Sequence, residues 1–411
     1  MIDKRVVAIY ENLYGKYIHD NTNCEYIKVD NIDNIKQILD SYYKDLIDDR
    51  YDETYQFKHE LNKVGTVYQF AIKGLEFFDI YILNDNIDYC LNIIKLLNIF
   101  SRHILDGNQD KESVVKARLR GRSKFPIYIF PNNITRNLID AKFTHDHLDM
   151  YKKTNQAFTT SGMTGSYMVI TKSEELIKLL LHELIHFYKL DGTIGRTKNY
   201  LDKYRIMLPF TDYNDEEECI AELLSNIYNC MFICIISSLK DKLNKSDQLV
   251  LLEKIISDEQ KYSYHVIAKI LYYFNIDPSN MFSRQNIHNK VELVSPINLY
   301  HIFKSIIYNN IDILLECNNC DNIFDISNTV YKSVYDMSQK IYKKFVDDVS
   351  DSYKNIKSDG NLNVSYILHD IDISKINKKS DIIQKGGNID YYRKYMKYKT
   401  KYINTKNLIN K

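Results

Sequence analysis

The sequence predicts a mainly α-helical protein with a small mixed β-sheet, an α+β fold. Over long stretches on both sides of the middle of the chain, apolar residues recur every three to four positions, the period of an amphipathic helix. Near the middle, two short runs, Phe125 to Pro131 and Tyr167 to Thr171, have the aromatic and β-branched composition of strands. We therefore expect a small sheet embedded in helices.

The order of these patterns divides the 411 residues into four predicted regions. Ile87 to Ile104 has the clearest helical spacing in the first region, and Gly386-Gly387 separates the last one. The regions are a helical N-terminal domain at 1–115, a core with the candidate catalytic residues at 116–300, a helical C-terminal region at 301–385 and a tail at 386–411.

Composition and charge restrict the class of protein. The net charge of +1 gives no overall attraction to nucleic acid or to an anionic membrane. The first residues, Met1 to Gly15, lack the apolar segment of a secretory signal, and the apolar stretch Cys230 to Ile236 is shorter than the roughly 20 residues of a membrane span. Seven scattered cysteines fit reduced thiols. We expect a non-secreted protein with no membrane partner.

The strongest chemical signal is the H-E-x-x-H run from His182 to His186, which contains Glu183. The sequence predicts a helix from Glu174 to about Leu190, begun by Ser173 and ended by Asp191-Gly192. Four residues at about 100° each place both imidazoles on one face of that helix, one turn apart. The spacing therefore predicts two ligands of one metal ion.

These residue types suit zinc chemistry. Two neutral imidazole nitrogens bind Zn²⁺, and zinc lowers the pKa of a bound water to about 7. Glu183, one step round the helix, would face that water and act as general base and then as general acid. We therefore expect Zn²⁺ as the cofactor, His182 and His186 as ligands, and Glu183 as the catalytic carboxylate.

A third ligand is expected from the acidic run that starts a second helix near Asn214. The three-histidine class of H-E-x-x-H enzymes is excluded, because Lys189 and Gly192 stand where that class has glycine and histidine. On the second helix, Glu218 and Glu222 share a face.

H-E-x-x-H followed by a helix with E-x-x-A-E resembles the gluzincin metallopeptidases of the thermolysin and lethal-factor type. The resemblance covers about 50 residues. It implies that Glu218 is the third zinc ligand. It also implies that Glu222 does not bind zinc itself but hydrogen-bonds and orients a ligand histidine. The 31 residues between His186 and Glu218 exceed the thermolysin spacing, and Glu217 is the rival for the ligand role.

The resemblance also implies a zincin-like core whose sheet edge binds an extended peptide by β-augmentation. Tyr167 to Thr171 is the expected edge strand, so a polypeptide is the expected substrate. In gluzincins a Tyr or His stabilises the oxyanion. Tyr213 is the first candidate for this catalytic role and His265 is the second.

The tail at 386–411 is a separate basic module. It carries seven basic residues and one acid, and its tyrosines at 391, 395, 398 and 402 follow helical spacing. It resembles the Gly-Gly and Lys/Tyr-rich tails of proteins from amoeba-infecting giant viruses. That resemblance implies a viral protein located in the virion or in the viral factory of the host cytoplasm, with a partner bound through the tail. A helix packed on the body and a weak nucleic-acid-binding arm are the alternatives.

The sequence as a whole predicts a zinc metallopeptidase, and we expect it to be an endopeptidase. Two other functions stay open at this point. One is a non-catalytic virion or scaffold protein with a structural metal site, and the other is a zinc hydrolase of a non-peptide amide. The intact Glu183 favours an enzyme, because a structural site does not need that carboxylate.

Overall fold

The fold, seen in a computed structural model, is mainly helical with one mixed six-stranded sheet, which confirms the predicted fold class. The structure describes residues 4–20, 22–29, 66–106, 109–119, 121–132, 157–159, 167–191, 210–211, 216–273, 275–280, 291–292, 301, 304–308, 339–359 and 368–376.

The sheet combines parallel and antiparallel pairs. Its strands are β1 (Cys24–Lys28), β2 (Val67–Ile72), β3 (Phe78–Leu83), β4 (Phe125–Asn132), β5 (Ala157–Thr159) and β6 (Met168–Lys172). Their spatial order is β1-β2-β3-β4-β6-β5, in which β3, β4 and β6 are parallel and the other pairs are antiparallel. A separate two-residue pair joins β7 (Phe210–Thr211) to β8 (Val291–Glu292).

Helices follow and precede these strands along the chain. They are α1 (Lys4–Ile18), α2 (Ile87–Leu105), α3 (Gln109–Leu119), α4 (Leu176–Phe187), α5 (Glu216–Asp241), α6 (Lys245–Tyr273), α7 (Lys304–Tyr308) and α8 (Gln339–Asp359). Short 3₁₀ turns occur at Pro278–Asn280 and Ile373–Lys375. The α2 helix confirms the periodicity predicted for Ile87 to Ile104.

One face of the sheet packs against the helices. Residues alternate along β3, so that Phe78, Ile80 and Ile82 are buried while the residues between them are half-buried. These side chains belong to the main apolar core, which also contains residues of α2, α4, α5 and α6. The opposite face has a smaller cluster around Tyr128 and Phe130. The sheet therefore supports α4 from one side.

The region at residues 1–115, predicted as a helical N-terminal domain, contains strands as well as helices. Three strands, β1 to β3, lie in this region, and β3 pairs in parallel with β4 across the predicted boundary at residue 116. Short apolar runs suit a strand or a buried helix equally well in sequence, and here the neighbouring strand supplies the hydrogen bonds that decide. The described parts of the first two predicted regions thus share one sheet.

Both strands predicted near the middle are confirmed as β4 and β6, but the expected edge position of Tyr167 to Thr171 is wrong. β6 lies between β4 and β5, with Val169 pairing to Phe158 of β5. The three residues of β5 supply an antiparallel neighbour, which leaves β5 at the edge among the described strands.

The α4 helix begins later than predicted. Its first helical residue is Leu176, and Glu175 precedes it in the left-handed region with a φ of 63° and no side-chain cap. The predicted cap at Ser173 is therefore wrong. The backbone N–H of Glu175 instead donates to Asp370 Oδ2 at 2.9 Å, so a residue 195 positions away anchors the start of this helix.

Part of the predicted C-terminal region at 301–385 packs against the rest of the protein. α8 extends to Asp359, and the segment 368–376 is bound through its main chain. The amides of Asn92 and Asn229 donate to its carbonyls at 2.7 and 3.0 Å, and Glu259 accepts from two of its N–H groups at 2.7 to 3.0 Å. Main-chain contacts of this kind carry little sequence signal.

One described helix, α5, is long and apolar enough in its Glu218–Asp241 stretch to cross a membrane by length and composition. Of its most apolar window, 83% is buried inside the protein, as in the core helix of a globular fold. Its apolar residues pack in the main core, beside α4 and α6. Burial against other helices thus accounts for its composition.

Candidate metal centre

Two packed helices present the candidate ligands. His182 and His186 lie one turn apart on α4, and Glu218 lies in the first turn of α5. α4 is apolar around most of its circumference and is held between the sheet and α5. This packing forces the polar side chains of α4 towards α5, where Ala221 is small and fully buried.

Three donor atoms converge between these helices. The Nε2 atoms of His182 and His186 lie 3.0 Å apart, and Oε2 of Glu218 lies 3.0 Å from the first and 3.4 Å from the second. Each of these residues offers one donor atom within 4.8 Å of the others. The side chains of His182, His186 and Glu218 are 7%, 16% and 24% exposed, so little of their surface is open to solvent.

A carboxylate faces the second nitrogen of each imidazole. Nδ1 of His182 lies 3.3 Å from Glu222 Oε2, and Nδ1 of His186 lies 2.5 Å from Asp191 Oδ2. A carboxylate at Nδ1 favours the tautomer with its proton on that atom, which leaves a lone pair on Nε2. Two such lone pairs and the Glu218 carboxylate then face one another, and a cation between them would relieve their repulsion. The donor set therefore fits a metal ion.

The electrostatics of the centre agree with this arrangement. Burial disfavours the imidazolium form, yet the pKa of His182 is raised by Glu218 and Glu222, and the pKa of His186 is raised well above its usual value by Glu218 and Asp191. Burial also disfavours the carboxylate of Glu218, but both imidazoles hold its pKa well below the ordinary value. Negative charge in excess at this point attracts protons or a metal cation.

Glu222 has further partners. Lys178 of α4 contacts its Oε2, and Lys304 Nζ lies 3.2 Å from its Oε1. Although burial alone would raise it, the pKa of Glu222 lies well below its usual range because of these two ammonium groups. The group facing His182 is thus an ionised carboxylate held by two lysines.

The other predicted site residues have different outcomes. Glu183 lies on α4 between the two histidines and is 4% exposed. Tyr213 lies outside the described residues, as do the side chain of Glu217 and the whole tail. His265 is a half-buried residue of α6 whose ring contacts Tyr262. The roles proposed for these residues stay predictions.

Sequence reasoning missed Asp191 and both lysines. Asp191 was assigned to the end of the helix, and only the actual end at Phe187 lets the chain turn back so that its carboxylate reaches His186. Lys178 carried a signal, since it is the one polar residue in the apolar stretch 176–181, four residues before His182. Lys304 carried none, because nothing local links it to Glu222.

The end of α4 is also held from outside the helix. Arg118, in the last turn of α3, donates from Nη2 to the main-chain carbonyl of His186 at 2.7 Å. The same carbonyl accepts from the main-chain N–H of Lys189 at 3.1 Å, so Arg118 adds a second donor at the end of the helix. It also ties the main chain of one candidate ligand to a neighbouring helix.

In a comparison with known proteins, this chain is similar to an uncharacterized protein of Acanthamoeba polyphaga mimivirus, a distant relative. The two are 26% identical over 251 residues, a match that covers 57% of this chain and 59% of the relative. The chain therefore spans less than two thirds of the relative's length. No protein-family model and no solved structure matches. The similarity supports the predicted giant-virus origin, and the relation to a metallopeptidase family stays a prediction.

Proposed function

We propose that this protein is a zinc-dependent metallohydrolase that cleaves peptide bonds. The observation that carries the proposal is the convergence of His182, His186 and Glu218, with a carboxylate behind each imidazole. Two histidines and one glutamate form the ligand set of several zinc hydrolases. A carboxylate behind a ligand histidine is the usual way in which proteins orient such a ligand.

The number of ligands favours catalysis over a structural role. Structural zinc sites are closed by four protein ligands, whereas catalytic sites have three and leave a position for water or substrate. Among the described residues, the groups that gather here are the two histidines and Glu218. Nitrogen and oxygen donors in this mixture suit zinc better than the oxygen-preferring magnesium or calcium.

Each residue then has a distinct task. A bound zinc ion would supply Lewis acidity and an activated water at neutral pH. Glu183, placed between the two ligands in sequence, would take a proton and return it to the leaving amine. Glu222 and Asp191 would keep Nε2 of each imidazole directed to the ion. Tyr213, or else His265, would stabilise the oxyanion.

The arrangement of the sheet favours a peptide as the substrate. α4 packs against β5 and β6, and β5 is the edge among the described strands. An extended peptide could pair with this edge through main-chain hydrogen bonds. The proposed peptide-binding edge is thus β5, in place of the strand expected from the sequence.

The proposed location and partners are supported by the relative and the tail together. A giant-virus relative and a basic Tyr/Lys-rich tail support a protein of the virion or of the viral factory in the host cytoplasm, with a partner bound through residues 386–411. Nucleic acid is the weaker candidate partner, because the seven basic residues of the tail are balanced by the acidic body to a net charge of +1.

The deciding experiment compares the purified full chain with Glu183→Gln, after both are loaded with zinc and their metal content is measured. Cleavage of a peptide library, read by mass spectrometry of new termini, gives the activity. We expect Glu183→Gln to retain zinc and to lose activity by about 10² to 10⁴-fold. Glu253→Gln, which changes an exposed glutamate of α6, is the matched control.

Each alternative function has its own outcome in this experiment. A full zinc content with no cleavage of peptides by either protein would favour the scaffold function. Hydrolysis of small amides in the absence of peptide cleavage would favour the non-peptide hydrolase. Equal peptide cleavage by wild type and Glu183→Gln would remove Glu183 from the mechanism.

A further inference from the structure

Two buried lysines contact the carboxylate of Glu222, the group that faces His182. Lys178 Nζ contacts Oε2, Lys304 Nζ lies 3.2 Å from Oε1, and His182 Nδ1 lies 3.3 Å from Oε2. The side chains of Glu222 and of both lysines are each 1% exposed. The carboxylate of Glu222 thus lies within contact distance of two ammonium groups and one imidazole.

Packing alone gives a poor account of this network. Removing a charged group from water costs several kcal/mol even after relaxation, and apolar residues of similar size often stabilise a core as well as a buried ion pair does. Here three charges are buried between α4, α5 and α7. The network lies one contact away from a candidate metal ligand, which points to a role at the metal centre.

We propose that Lys178 and Lys304 are positioning residues of the metal centre, an inference that rests on the proposed function. They hold the Glu222 carboxylate in one place, so that it orients the imidazole of His182 towards the ion. Their positive charge also compensates the charge of that carboxylate inside the protein.

The two lysines act from different parts of the chain. Lys178 lies four residues before His182 on α4, which places it one turn away on the same face. It therefore ties Glu222 of α5 to the helix that carries both histidines. Lys304 lies on α7, within the region at 301–385 that the sequence placed outside the catalytic core. The C-terminal region thus contributes directly to the surroundings of the metal ion.

If the charges of Lys178, Lys304 and Glu222 compensate one another, the effect of removing one of them on metal affinity depends on whether the others are present. If Glu222 loses its charge while both lysines remain, the carboxylate that contacts both ammonium groups is neutral and the net positive charge beside the centre rises, which repels a divalent cation. Glu175 still interacts electrostatically with Lys178, and Glu259 with Lys304, so this repulsion is only partly compensated. Removing Lys304 then relieves the repulsion. If Lys304 is removed from the intact network, Glu222 instead loses one of the contacts that position it. The same substitution should therefore have opposite effects on metal affinity in the two backgrounds.

A double-mutant cycle on the full chain tests this proposal. The four proteins are wild type, Lys304→Met, Glu222→Gln and the double variant, and zinc affinity is measured by competition with a chromophoric chelator. We expect Lys304→Met to weaken binding about tenfold and Glu222→Gln to weaken it about 10- to 100-fold. The double variant should bind zinc more tightly than Glu222→Gln alone.

Two further measurements separate a positioning role from a merely structural one. The visible spectrum of the Co²⁺-loaded protein, which reports ligand geometry, should change in Lys304→Met. The same change at Lys269, a buried lysine of α6, is the control and should leave both the spectrum and the affinity as in wild type. If Lys304→Met does not fold, as judged by its thermal transition, Lys178→Met takes its place in the cycle.

The outcomes distinguish this inference from the proposed function. A wild-type chain that binds no zinc would refute the metal centre itself. A wild-type chain that binds zinc, with the lysine substitution changing affinity by the same factor in both backgrounds and leaving the Co²⁺ spectrum unaltered, would overturn the positioning role alone.

Discussion

Replacing Glu218 by alanine should remove one of three metal donors. Its Oε2 lies 3.0 and 3.4 Å from the two imidazole nitrogens, and the nearby carboxylate of Glu222 is engaged by two lysines and cannot take its place. Four-ligand structural zinc sites are worth about 10–16 kcal/mol, or about 2.5–4 kcal/mol per ligand. Glu218→Ala should therefore weaken zinc binding by about two to three powers of ten.

The assay for this prediction is zinc affinity by chelator competition, together with the thermal unfolding temperature with and without zinc. A ligand at 100 times its Kd stabilises the folded state by about 2.7 kcal/mol, so wild type should gain stability at a zinc concentration where Glu218→Ala gains almost none. Glu217→Ala is the matched control on the same helix turn. Unchanged affinity in Glu218→Ala, with a loss in Glu217→Ala, would refute the ligand assignment.

Three further predictions concern the surroundings of the centre and the core. Asp191→Asn should weaken zinc binding about 10- to 100-fold, because the partner of His186 Nδ1 loses its charge; equal affinity in the same chelator assay would contradict this. Burial raises the pKa of Glu259 to about 7, so the stability that its protonation confers is complete below its unfolded value and lost as pH rises through about 7. In urea unfolding, Glu259 should contribute a loss of about 1 kcal/mol between about pH 6 and 8, and Glu259→Gln should remove this contribution. The loss from Asp370, whose pKa burial also raises to about 7, should remain in that variant. Leu184→Ala, at a fully buried position on α4, should cost about 2–5 kcal/mol in urea unfolding, whereas Val250→Ala at an exposed site should cost almost nothing.

Local periodicity made part of the fold predictable. The helical spacing of α2 and the apolar surface of α4 are properties of neighbouring residues, so the sequence alone indicated both helices. The strands β1 to β3 were missed because their hydrogen-bond partners lie elsewhere in the chain. A short apolar run becomes a strand only when a neighbouring strand pairs with it.

The start of α4 is a second feature that local sequence patterns do not predict, here at a single residue. Ser173 followed by acidic residues suits a local helix cap, yet Glu175 adopts the left-handed conformation and donates its N–H to Asp370. Capping rules apply where the nearest side chain is the best available acceptor. Here a distant carboxylate takes that role, and no local pattern records it.

The sequence by itself determined the position of His182 and His186 on one face of a helix with Glu183 between them, since helix geometry follows from spacing alone. It also indicated Glu218 and Glu222 through their own helical spacing. Only the tertiary structure decided which carboxylate faces which imidazole, and which lysines hold Glu222. Contacts between α4, α5 and α7 depend on how the helices pack, and packing is a property of the whole core.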